Sequence, residues 1–319
     1  MDNSFCLVVN PSAGGGRVGH IVRAVVSVVS PAAKSVRVVK TSSLNHGAAL
    51  AVQACQQGET VVAIGGDGLV GMTAAATSAE GGVLGIVPVG RSNDFARMLG
   101  VPTKPAQAAE NLLNGVTQEV DLIGVRCGDG PEQRVAGSVY LGVPSQAAEV
   151  ANTGRRWGGK TGYQVAAVRV LAGWRPVTFT VAAEGTGPAQ RFRGFAVIVA
   201  NSSYLAAGKM VAPAADVTDG LLDVVVMREG TKLSFVRAML RASHGTHVLL
   251  SEVSSTRAAA VTVTADRPVP AGADGETLLS ASPLTAGSPL RVRALPGALR
   301  VITPVRSAPS DISVGDFGP

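Results

Sequence analysis

"TVVAIGGDGLVGMTAAA", residues Thr60 to Ala76, begins as an apolar, β-favouring run, halts at three glycines around one aspartate, and resumes with helical spacing. Strand and helix joined so tightly make a βα unit. Glycine tolerates left-handed backbone and close approach of other chains. The run therefore sets Asp67 at the carboxyl end of a strand, on backbone that few side chains crowd.

Outward from this unit the same rhythm recurs. "SFCLVVN" reads as a strand before a glycine loop and the helical "VGHIVRAVVSVV"; "KSVRVVKT" precedes the helical "NHGAALAVQACQQG"; "GVLGIVPVG" precedes "NDFARMLG". Near-continuous apolar strands alternating with helices predict a parallel sheet covered on both faces. Such sheets bind ligands beyond the carboxyl ends of their strands. Here those ends carry Asn10, Thr41, the Gly65–Gly66–Asp67–Gly68 turn and Gly90–Arg91–Ser92–Asn93–Asp94. From about Leu122 short runs bounded by Gly, Pro, Asp and Asn replace the alternation, including "VAGSVYLGV", "PVTFTVAAE", "RFRGFAVIVAN", "GLLDVVVM", "AAVTVTAD", "LRVRAL" and "ALRVITP". They predict a β-sandwich or open barrel, interrupted by helices near "GYQVAAVRVLAGW" and "KLSFVRAMLRA". The expected organisation is an α/β domain over 1–123, a β-sandwich domain over 124–304 and a flexible tail over 305–319.

Composition narrows the function classes. With 46% apolar and 16% charged residues in 319, the chain is a packed globular protein. No window is apolar for long enough to span a bilayer, and the acid near the start of "MDNSFCLVVN" argues against a secretory signal. Three scattered cysteines, Cys6, Cys55 and Cys127, suit buried thiols in a reducing cytoplasm better than a metal or disulfide role. A net charge of +6 is mild and scattered, with no basic run interleaved with aromatics, so nucleic acid is not an expected partner. The same charge suits anionic small molecules, or brief contact with an anionic membrane surface.

Four motifs carry chemistry. "NPSAGGGRVG", Asn10 to Gly19, satisfies a GxGxxG pattern, but the second strand ends on Lys40 and Thr41 instead of the acid that would hold a dinucleotide ribose. What remains is a glycine turn whose N–H groups can cradle phosphate, or a plain βα turn. The opening stretch adds Asp67, which is also a common turn former. "VPVGRSNDFAR" repeats the device, with Asn93 and Asp94 opening a helix as caps or as site groups. "ADVTDGLLD" clusters Asp216, Asp219 and Asp223 before a strand, an oxygen-rich loop that holds a cation or simply turns. "AGADGETLL" offers Asp274 and Glu276 on a glycine-flanked turn.

Together, "NPSAGGGR", "GGDGL", "PVGRSNDFAR", "TDGLLD" and "DGE", in this order, resemble the diacylglycerol-kinase-type catalytic family of bacterial lipid kinases and sphingosine-kinase relatives, from about Phe5 to Pro304. The resemblance implies a Rossmann-like nucleotide domain and a β-sandwich domain with the site in the cleft between them. It implies ATP and Mg²⁺, with nucleotide contacts from Asn10, Thr41, Gly65, Gly66, Asp67, Gly68, Leu69, Gly71, Arg91 and Asn93. Glu276 would accept the proton of the substrate hydroxyl, with Asp67 and Asp94 beside the phosphates and reacting metal. Asp216, Asp219 and the carbonyl of Leu221 would hold a further Mg²⁺. The implied activity is phosphoryl transfer to an alcohol, either a diacylglycerol-like lipid or a soluble specialised metabolite, by a cytoplasmic enzyme that visits the membrane periphery and has scope to form a homodimer. Two departures stand out: Leu69 and Arg91 replace threonines of the family pattern. A member that has lost the transfer reaction is the alternative they suggest.

Overall fold

The computed structural model describes residues 3–153, 160–205, 208–278 and 288–305, with backbone alone at 152–153, 160–164 and 276–277. The chain opens with β1 (Ser4–Val9), α1 (Val18–Val29), β2 (Ser35–Lys40), α2 (Leu44–Gln56), β3 (Thr60–Gly65), α3 (Asp67–Ala79), β4 (Val83–Pro88), α4 (Asp94–Met98) and α5 (Pro105–Asn114). Strands β2, β1, β3 and β4 lie side by side and parallel, with Val9 level with Ile64 and Gly65 level with Pro88. Apolar residues fill both faces of β1, β3 and β4, as a doubly covered parallel sheet requires, while the edge strand β2 has no fully buried residue. Phe5, Leu7, Val62 and Ile64 pack with residues of α1 and α5, while Cys6, Val8, Val61 and Ala63 pack with residues of α2 and α3.

There follow β5 (Val116–Cys127), β6 (Gln133–Val135), β7 (Ser138–Gly142), α6 (Val143–Thr153), α7 (Lys160–Gly173), β8 (Val177–Ala183), β9 (Gln190–Ala200) and the hairpin of β10 (Tyr204–Leu205) and β11 (Lys209–Met210). The chain then runs through β12 (Leu222–Arg228), α8 (Lys232–Arg241), β13 (Val253–Ala258), β14 (Ala260–Ala265), β15 (Ala271–Ala273), β16 (Glu276–Thr277) and β17 (Leu290–Thr303). Apart from the end of β17, which runs parallel to β4, the pairing here is antiparallel, and the second core gathers Phe179, Phe195, Ile198 and Val225 around the inner faces.

The expected α/β-then-β order is present, with strands β5 and β13 and helices α5 and α6 among the additions. Helices α5 and α6 were not read from the sequence, because each follows a proline or glycine signal that also fits a loop. "LRVRAL" and "ALRVITP", read as separate runs, are one strand, β17, with a register shift between Leu295 and Leu299. That strand pairs antiparallel with β14 and β5, then parallel with β4 through Arg300 and Val301. The last strand of the chain thereby joins the first sheet, and residue 123 falls inside β5. Beyond Val305 the expected tail lies outside the described residues. All three cysteines are free; Cys6 and Cys127 are buried and Cys55 is half-buried. Burial pushes the Cys6 thiol up to about 11.

Candidate active site

The carboxyl ends of β1, β3 and β4 bring three loops into contact. After β1, Gly14, Gly15 and Gly16 all have positive φ (65°, 62° and 87°), so successive amides line one concave turn. A β-carbon at Gly14 would stand 2.8 Å from Val89 Cγ1, on the loop after β4. A β-carbon at Gly90 would stand 2.6 Å from Gly66 Cα and 2.7 Å from Asn93 Oδ1. Only glycine lets those two main chains cross at Gly66 and Gly90. The first-turn amides of α3 have no partner within their own helix and point out of its positive end, toward the same loops.

Asp67 ties this assembly together. Its Oδ2 accepts the Asn93 N–H at 2.9 Å and its Oδ1 accepts the Asp94 N–H at 2.6 Å. The grip holds Asn93 in left-handed conformation, φ 49°, a strained state for a non-glycine residue. The Asn93 amide donates to the Gly90 carbonyl at 3.0 Å, and its Oδ1 is buried with no hydrogen-bond partner. Asp94 in turn accepts the Gly208 N–H at 2.8 Å, joining α4 to the β10–β11 hairpin. Asn10 caps its own loop, its Oδ1 accepting the Ser12 N–H at 3.0 Å, and Thr41 is buried at the end of β2.

Asp274 completes the cluster. It sits at φ 46° between β15 and β16, and its carboxylate accepts the N–H groups of Ala136, Gly137 and Ser138 at 2.9, 3.0 and 2.9 Å. Burial raises its pKa; the three amides pull it down, and the Asp67 charge pushes it up again. A β-carbon at Gly71 would stand 3.3 Å from Asp274 Oδ2, so α3 and the Asp274 turn are in direct contact. The turn thus stands against the helix that carries Asp67. Glu276 follows two residues later; its backbone pairs with Ala273, and its side chain lies outside the described residues.

Of the residues expected at the site, Asn10, Thr41, Gly65, Gly66, Asp67, Gly68, Gly71, Asn93 and Asp94 lie on these contiguous strand-end loops or the start of α3. Leu69, also expected as a nucleotide contact, turns its side chain into the core. It is almost fully buried, and β-carbons at Gly47 and Gly65 would meet its methyl groups at 2.7 and 2.8 Å. Its side chain is a core group packed between α2 and α3, where the small glycines make room for it. Arg91 is exposed on the loop after β4.

The loop expected to hold a second Mg²⁺ has hydrogen-bond and ion-pair partners of its own. Asp216 Oδ1 accepts both the Thr218 N–H at 3.0 Å and the Thr218 hydroxyl at 2.7 Å. Asp219 Oδ1 accepts the Leu221 N–H at 2.9 Å, and its Oδ2 is paired with the Arg257 guanidinium. Arg257 Nε also lies 3.5 Å from Asp223 Oδ2. The chain's own cation, Arg257, thus stands beside Asp219 and Asp223 in this loop, while Asp216 is held by Thr218. Among the described residues no group of three or more His, Cys, Asp and Glu side chains is arranged to hold a metal.

Asp121 was not found from the sequence. Buried on β5, its carboxylate accepts the Gly220 N–H at 2.7 Å and the Gly297 N–H at 2.8 Å, binding the Asp216–Leu221 loop to the irregular middle of β17. The one signal was an aspartate inside an otherwise apolar run.

Residues 4–125 match the model of the diacylglycerol kinase catalytic domain, and residues 137–303 that of the YegS C-terminal NAD kinase beta sandwich-like domain. A diacylglycerol kinase of Mycobacterium tuberculosis is 32% identical over 256 residues, covering 80% of each chain. A diacylglycerol kinase of Bacillus subtilis is 25% identical over 236 residues, covering 70% of this chain and 73% of its own. A crystal structure of a diacylglycerol kinase from Bacillus anthracis shares the fold, with a TM-score of 0.70 at 17% identity, covering 94% of this chain and 97% of that one.

Proposed function

The chain belongs to the diacylglycerol kinase family, phosphotransferases with an alcohol group as acceptor, and from that premise we propose that it transfers the γ-phosphoryl group of ATP to the hydroxyl of a diacylglycerol-like lipid. The observation that carries this reading is the convergence of a glycine turn, a helix N-terminus and the Asp274 turn at one sheet edge.

Phosphoryl transfer asks little covalent work of a protein; positioning and charge neutralisation supply most of the rate. Amides at Gly14–Gly16 and in the first turn of α3 suit the phosphate oxygens. The nucleotide would lie across Asn10, Thr41 and the Gly65–Gly71 segment, in the cleft between the α/β part and the sandwich. Magnesium would arrive with the nucleotide as its complex. Glu276 would take the hydroxyl proton, a step worth about 10²–10⁴ in rate, and the clasp on Asp274 would fix the turn that presents it. Leu69 supports an intact nucleotide loop despite the missing threonine, since its side chain lies beneath the loop and obstructs nothing above it.

Transfer from labelled ATP to dioctanoylglycerol in detergent micelles tests the reading. Glu276→Gln should abolish transfer while nucleotide affinity, measured by calorimetry, stays within about twofold. An active Glu276→Gln enzyme, or no nucleotide binding at millimolar concentration, would overturn it.

A further inference from the structure

Six of the nine large apolar residues left exposed among the described residues, Val165, Val168, Leu233, Val236, Leu240 and Leu249, belong to α7, α8 and the short 3₁₀ turn at Thr246–Leu249. Helix α8 turns Phe235 and Ala238 into the sandwich core, with the Phe235 ring tilted against that of Phe195, centroids 5.1 Å apart. Its opposite side carries Leu233, Val236 and Leu240, spaced i, i+3 and i+7, as one apolar stripe. Leu233 is 76% exposed, Leu240 66%, and Leu249 beside them 78%. The Lys232 ammonium donates to the Ala172 carbonyl near the end of α7, so the two helices adjoin.

The charges on these helices have one sign. Helix α8 carries Lys232, Arg237 and Arg241, α7 carries Lys160 and Arg169, and neither has an acidic residue. Of the acidic residues that flank α8 in sequence, Glu229 pairs with Arg193 and Glu252 accepts the Ser251 hydroxyl. A second copy of this surface would oppose cations to cations. Aliphatic side chains among basic ones match the boundary of an anionic bilayer, where the apolar groups enter the acyl edge and the cations meet headgroup phosphates.

We propose that the outer face of α8, with Leu249 and the adjoining side of α7, docks on anionic membrane surface. The proposal rests on the lipid-acceptor reading only for its purpose, since binding is measured without turnover. The docking face is one hairpin from the site: Lys209 donates to the Met239 carbonyl of α8 at 2.9 Å, while the neighbouring Gly208 N–H holds Asp94.

Vesicle flotation of the full chain without nucleotide tests it, with phosphatidylcholine alone against an equal mixture with phosphatidylglycerol. Binding is expected to the mixed vesicles, weakening as salt rises. The variant Leu233→Ser/Leu240→Ser should lower partition by about tenfold or more, while Val38→Ser, an exposed apolar residue on β2, should not. The double variant should retain transfer to dioctanoylglycerol in micelles. Wild-type protein that ignores phosphatidylglycerol, a double variant that binds like wild type, or a wild-type dimer that the double variant loses in sedimentation velocity would each overturn the docking surface. Vesicle binding in the expected pattern with no transfer to any micellar acceptor would leave docking standing and refute the kinase reading instead.

Discussion

Arg257 is shared between two carboxylates of unequal exposure, and the inequality decides what its loss does. Asp219 is reached by water, whereas the Asp223 side chain is 2% exposed and burial lifts its pKa to about 6. Deleting the guanidinium leaves Asp223 as a buried charge without its counter-ion. Fully buried pairs lose about 3–5 kcal/mol in this way, and since Arg257 is itself 39% exposed, about 2 kcal/mol is the expected cost at neutral pH. The sign of the pH dependence follows. An unfolded aspartate ionises near 3.9, so the stability that folded, protonated Asp223 contributes is whole below that pH and is lost as pH rises through its folded value near 6. Without Arg257 the folded pKa climbs further, so the penalty of Arg257→Ala should be larger at pH 8 than at pH 5.5 in urea denaturation. Adding Asp223→Asn should return most of it. Equal penalties at both pH values would show that Arg257 acts through packing alone.

At the scale of elements, the site is made by loops that glycine allows to cross. Gly90→Ala would drive a β-carbon against Gly66 Cα, a main-chain atom with nowhere to rotate. The loops must part, loosening the two hydrogen bonds that Asp67 accepts from the amides of Asn93 and Asp94. Charge-assisted bonds of this kind are worth about 1.5–3 kcal/mol each, so nucleotide affinity should fall at least about tenfold while the far sandwich keeps its core. Calorimetric titration with ATP measures the first, and near-ultraviolet circular dichroism the second. Unchanged affinity would mean that the crossing does not shape the nucleotide site. These loops were legible in the sequence because a strand ending in Gly-Gly-Asp-Gly leaves a strong local trace. Asp274 was half legible: its glycines mark a turn, but its three amide donors come from residues 136–138 and no local pattern announces them. The burial of Leu69 was not legible, since the inward face of α3 is set by its packing on β3 and α2. The partner of Asp219 was not legible either, because Arg257 stands 38 residues further along the chain.

On the scale of the molecule, one strand serves both halves. Leu290 and Val292 of β17 lie in the sandwich core, and Leu299 and Val301 of the same strand lie in the core of the parallel sheet. This pairing was invisible in the sequence, since strand partners so distant leave no spacing to read. It also sets how the protein unfolds. Chains of this length often melt in stages, because separate cores are free to open separately. Here the first sheet cannot open at β4 without releasing β17, and β17 is also paired to β5 and β14. The expected calorimetric trace is therefore a single transition. Val292→Ala and Val301→Ala each remove two buried methyl groups, at about 2 kcal/mol apiece, and both should move that one peak downward by similar amounts. Two peaks, with each substitution shifting only its own, would show that the shared strand fails to couple the cores. A single peak shifted by either substitution would mean that an apolar change deep in the sandwich is felt at the loops around Asp67.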